Sequence, residues 1–160
     1  MIRIKPILLF SLVAFNSVGD QVETVTSKVP LFNKGATTFY VSGKVNDLHE
    51  TEFMVDTGSG YSTINAQIFD DISSEGKARF VKSVVGILAD GSEISMPIYR
   101  IARLNIGGGC VIRDIEFAVL PGQTRNILGL SALKKTAPFS MHVDPPTLVL
   151  SNCETSRART

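Results

Sequence analysis

The stretch Phe53-Met54-Val55-Asp56-Thr57-Gly58-Ser59 decides how the rest of the chain is read. Three apolar residues form a strand that ends in an acid, and a glycine two residues on turns the backbone sharply. A carboxylate is thereby delivered to the edge of a core. Gly58 has no Cβ, so its amide can approach the carboxylate closely, and the hydroxyls of Thr57 and Ser59 are placed to donate nearby. Taken alone, Asp-Thr-Gly also serves as an ordinary turn.

Upstream, Thr37 to Val45 is β-branched and aromatic, Asn46-Asp47 marks a turn, and Thr51 to Val55 resumes the strand, so a hairpin feeds the Asp56 loop. Downstream, Ile64 to Ile72 has the pattern of a short helix with Asn65 as N-cap. Val81 to Leu88 and Ile94 to Leu104 flank Ala89-Asp90-Gly91-Ser92, and Asp-Gly between strand-like runs is a strong hairpin signal. Gly107-Gly108-Gly109 turns the chain into Cys110 to Ile112 and Ile115 to Leu120, which Pro121-Gly122 ends. Ile127-Leu128-Gly129 leads into a short helix, Leu130 to Lys135. Phe139 to Val143 and Thr147 to Leu150 are strands split by Asp144-Pro145-Pro146. Many short strands with few helices indicate an all-β barrel or sandwich.

Val55 to Ser59 resembles the hydrophobic-Asp-Thr-Gly-Ser motif of the retropepsin-like aspartic peptidases, and Ser62-Thr63-Ile64 continues it. Ile127-Leu128-Gly129 is similar to the family's second motif, and the Asp90-Gly91 hairpin lies between the two, where the family has its flap. The similarity spans roughly Thr38 to Leu150 and is nearest to a bacterial, exported branch. It implies a closed all-β barrel that is half an enzyme. Asp56 is then the catalytic residue, supported by Thr57, Gly58 and Ser59, with Ala89, Asp90, Gly91 and Ser92 as flap and Ile127, Leu128 and Gly129 as active-site floor. The resemblance also implies a homodimer acting on peptide or protein substrates, since there is one Asp-Thr-Gly and the mechanism takes two carboxylates. The apolar Leu148-Val149-Leu150, as an unpaired edge, is expected at or near the two-fold interface. No cofactor and no metal are expected. A non-catalytic module that holds an extended peptide on the same fold is the alternative.

Composition narrows the other classes. With 160 residues, 44% hydrophobic and 19% charged, the chain holds one domain with tails. A net charge of +1 gives no reason to invoke nucleic acid as a partner. Arg3 and Lys5, the apolar run Ile7 to Phe15, and the small Ser17 and Gly19 read as a signal peptide over residues 1–19. The run falls short of the about 20 apolar residues a membrane span needs, so cleavage is favoured over an uncleaved membrane anchor. The protein is expected to be periplasmic or secreted. Residues 20–34 read as a tail or a first loose strand, 35–152 as the peptidase domain and 153–160 as a C-terminal tail. His49 and His142 are the only histidines, and neither stands in a nucleophile or ligand pattern. Asp70, Asp71 and Glu75 read as a solvated helix end. Cys110 and Cys153 either pair after export or remain separate thiols; spacing alone does not choose.

Overall fold

The computed structural model describes residues 24–35, 37–48, 50–88 and 90–155. The expected signal segment, His49 and Ala89 lie outside them. In chain order come β1 (Thr24–Pro30), β2 (Phe32–Asn33), β3 (Phe39–Val45), β4 (Glu50–Val55), β5 (Ser62–Asn65) and α1 (Ala66–Ser74). There follow β6 (Ala78–Ile87), β7 (Glu93–Ile106), β8 (Cys110–Leu120), β9 (Ile127–Leu128) and α2 (Leu130–Leu133). A 3₁₀ turn over Lys134–Thr136, β10 (Phe139–Val143) and β11 (Pro146–Glu154) complete the chain.

Six of these strands form a ring: β8 pairs β5, β5 pairs β9, β9 pairs β4, β4 pairs β3, β3 pairs β7, and β7 returns to β8. The expected closed barrel is present. Its interior is filled by Phe53, Ile64, Ile101, Leu104, Phe117 and Leu128, all fully buried. The Phe53 and Phe117 rings lie 6.3 Å apart, inside the range of favourable aromatic contact. Burying a side chain of this size contributes about 1.5–3 kcal/mol, so these residues pin the strands that carry the site.

Asn65 caps α1 as its sequence position predicts, accepting the Ile68 N–H at 3.0 Å, although Ile64 belongs to β5 and not to the helix. Asp70 and Asp71 are exposed on α1, and Glu75 at its C-cap pairs with Lys77. The two apolar runs after the triple glycine are one strand, β8, and Asp114 with φ 52° marks the irregularity between them.

Of the two readings of residues 20–34, tail or first strand, the strand is observed over residues 24–30: β1 pairs along β11 from Thr24↔Glu154 to Pro30↔Thr147. Two other expectations about the chain ends need correction. The run Leu148-Val149-Leu150 is no unpaired edge, because β11 lies between β1 and β10, and Leu148 and Leu150 are fully buried. An apolar strand late in a chain can be an edge or a centre; here its own N-terminal strand covers it. Cys153, placed at the start of the C-terminal tail, sits within β11 and is bonded to Cys110 at the start of β8, both buried.

Candidate active site

The Asp56 loop is held by a crossing of two chain segments. β4 runs parallel to β9, with Met54 opposite Ile127 and Val55 opposite Leu128, and the Asp56 N–H donates to the Leu128 carbonyl at 3.2 Å. The strand that delivers the acid therefore leans on the expected floor. Gly58 donates its N–H to Asp56 Oδ1 at 2.8 Å, as the absence of a Cβ allows, and the Ser59 N–H donates to the Asp56 carbonyl at 3.3 Å. The Gly58 donor fixes the direction of the carboxylate. Asp56 is half-buried and Thr57 exposed.

One expected support is placed differently. The Ser59 hydroxyl donates to the Tyr61 carbonyl at 2.7 Å, not to Asp56, so it braces the loop's own backbone. Gly129 is required by space: a Cβ there would stand 2.4 Å from the Tyr61 carbonyl oxygen and 2.8 Å from that of Ser59. Leu130 in turn donates to the Ser59 carbonyl at 2.9 Å, locking the loop onto the start of α2.

Ser62, in the continuation of the first motif, and two residues outside both motifs, Ser131 and Asn126, complete this frame. Ser62, fully buried, accepts the Gly129 N–H on its hydroxyl at 3.0 Å, and its own N–H donates to Ser131 Oγ at 2.8 Å. The Ser131 hydroxyl passes on to the Glu116 carbonyl at 2.9 Å. Asn126 is buried and reaches four neighbours: its side chain donates to Thr51 Oγ1 at 3.0 Å and to the Glu52 carbonyl at 3.3 Å and accepts the Asn65 N–H at 3.1 Å, while its carbonyl accepts the Met54 N–H at 3.0 Å. Nothing in the sequence marks Asn126 or Ser131, since their partners lie far along the chain. Buried polar groups so paired rigidify a site, because leaving one unpaired costs about 1–3 kcal/mol.

Asp56 opens into a cleft of about 700 Å³, whose other wall is the β6–β7 hairpin through Val84, Gly86, Leu88 and Met96. Leu120 and Ile127 add to a largely apolar lining. A second hollow, about 560 Å³, is lined by charged Arg79, Arg100, Asp114 and Glu116 and does not reach the loop. At the hairpin tip Gly91 has φ +83°, the left-handed region that an Asp-Gly turn uses. Asp90 Oδ1 accepts the Ser92 hydroxyl at 2.6 Å and its N–H at 2.9 Å. These donors hold the Asp90 carboxyl below its ordinary value, the hydroxyl contributing most. Lys82 on β6 sits 5.8 Å from the centre of the Tyr61 ring, and Tyr61 raises its ammonium above the ordinary lysine value. The structure thus brings Asp56, Gly58 and the floor residues together, with the hairpin across the cleft from them.

This architecture is similar to that of a retropepsin-like aspartic protease from Rickettsia conorii, known from its crystal structure. The TM-score is 0.57 at 18% identity, with 81% of this chain and 95% of that one covered. At that identity the likeness speaks for the fold. No curated protein matches the sequence. The family model described as aspartyl protease matches residues 41–132, more than half of the chain, and spans the Asp56 loop, the hairpin and the floor. With its barrel, its loop and this match, the chain belongs to the aspartyl protease family, in the retropepsin-like fold.

Proposed function

We propose that the protein is an exported aspartic endopeptidase in which Asp56 from each of two chains forms the catalytic pair. The observation that carries this reading is one braced carboxylate in a largely apolar cleft of about 700 Å³. A single Asp-Thr-Gly occurs in the sequence, so a second carboxylate of the same geometry comes from a second copy. The outer strand β10 offers a surface for it, with Met141 46% and Val143 65% exposed on a strand that pairs, among the described residues, with β11 alone.

Two carboxylates held close share one proton, because both cannot ionise readily. The ionised member takes a proton from water as the water oxygen bonds to the scissile carbonyl carbon. The protonated member gives its proton to the carbonyl oxygen, leaving a neutral diol. Collapse returns a diol proton to one carboxylate while the other protonates the departing amine, and the C–N bond breaks. The pair ends with its single proton. Residues 1–19 act as the export signal in this reading, and the mature chain works in the periplasm or outside the cell.

The test is digestion of an unbiased peptide library by the purified chain lacking residues 1–19, with sedimentation across the same concentrations. Cleavage whose rate per chain falls as dimers dissociate is expected. Constant activity per chain in a monomer, or no cleavage at any concentration where dimers form, removes the reading.

A further inference from the structure

Within the Asp56 cleft, one pair of residues on the hairpin is arranged unlike its neighbours. β6 and β7 pair with Val84 opposite Met96 and Gly86 opposite Ile94, so Met96 and Gly86 are diagonal neighbours on one face. That face turns inward: Val84, Gly86, Ile94 and Met96 are half-buried, while Val85 and Ile87 on the other face are 65% and 76% exposed. The Met96 terminal methyl lies over Gly86, 2.2 Å from where a Cβ would be. Only glycine leaves that space. Both residues line the cleft, together with Leu120 and Ile127 from the barrel side.

We propose that Met96 is the specificity-determining residue of an apolar side-chain subsite in this cleft, and that Gly86 is the space into which its methyl withdraws. Methionine is unbranched, with three rotatable side-chain bonds beyond its Cα, and fills irregular gaps at low cost. Drawn back over Gly86, as in this structure, it leaves the cleft open to a bulky apolar side chain; swung away, it narrows the cleft to a small one. The two positions therefore act in opposite senses. Removing the side chain at 96 enlarges the subsite, whereas adding a methyl at 86 expels the thioether into it. That expulsion displaces only the far end of a flexible side chain, so the barrel is untouched.

The inference rests on the peptide-cleft reading, and its test does not depend on turnover. The probe is a series of statine-containing peptides, varied between valine, leucine and phenylalanine at each position flanking the statine, with binding measured by calorimetry. Met96→Ala is expected to shift the phenylalanine-to-valine affinity ratio upward by about tenfold at one position, and Gly86→Ala to shift it downward there by a similar factor. Met96→Leu, of nearly conserved volume but branched and unable to lie over Gly86, is expected to follow Gly86→Ala, and serves if either other variant fails to fold. A general loosening of the hairpin would move all ratios the same way. Unchanged ratios, or shifts of one sign in all variants, overturn the role of Met96 and leave the peptidase reading standing. A wild-type chain that binds none of the series and cleaves no library peptide overturns both.

Discussion

Gly129 passes so close to Tyr61 that a side-chain carbon on it would stand 2.4 Å from the Tyr61 carbonyl oxygen. Its own N–H is held by Ser62, so it cannot slide away without leaving a buried hydroxyl half-satisfied. Gly129→Ala is therefore expected to cost about 1–3 kcal/mol of stability, the usual penalty for overfilling a packed site. Urea unfolding measures it. A midpoint equal to that of the wild type would show that the crossing of loop and floor is slack.

Asp56→Asn keeps the side chain's shape and removes its capacity to take a proton. Each mixed dimer then lacks the shared-proton pair. A tenfold excess of Asp56→Asn chains, equilibrated with wild type, is expected to reduce activity to about a tenth of its starting value through chain exchange. Activity that ignores the added variant would place the whole catalytic apparatus within one chain.

The bond from Cys110 to Cys153 closes a loop of sequence separation 43, which corresponds to about 4 kcal/mol in the chain-entropy model. Reduction, or the double substitution of both cysteines by alanine, is expected to lower the unfolding midpoint accordingly. Two thiols that label in the untreated, oxidised protein would show that the bond does not form.

At the hairpin tip, Asp90 has a folded-state pKa below the ordinary value because Ser92 donates to it twice. For a depressed carboxyl, the stabilising contribution is present above the unfolded value of 3.8 and is lost as pH falls through the lower, folded value. Ser92→Ala removes the larger of the two donors. The Asp90 side-chain carbon, followed by NMR, is expected to titrate at higher pH in this variant. An unmoved titration would mean that the backbone N–H alone sets it.

How far the molecule was legible in its sequence follows from the range of each interaction. The Asp56 loop, the Asn65 cap and the Asp90-Gly91 turn are local, and residue types within a few positions determine them. Closure of the barrel was visible only through the likeness of Val55 to Ser59 and of Ile127 to Gly129 to a family. The central position of β11 was not legible, since its apolar pattern says that it is covered without saying by what. Val25 and Val29 in β1 were the available signal, two valines four apart in a strand whose inward residues alternate. The Ser59 hydroxyl is near the Asp56 carboxylate in sequence, which makes that carboxylate its expected acceptor. Its actual acceptor, the Tyr61 carbonyl, is as near, and only the fold of the loop chooses between them. Asn126 and Ser131 act across the fold, and the Gly86–Met96 contact exists only once the strand register is fixed.

The pairing of β1 with β11 also sets an order of events during synthesis. Val29 finds its strand partner only when Leu148, far along the chain, has emerged. Until then β1 is an unpaired ribbon, and closing so long a loop is slow compared with forming local hairpins. The barrel strands can assemble first, but the sheet that joins β1 to β11 waits for the later strand. Until β11 has been made, β1 stays exposed to proteolysis.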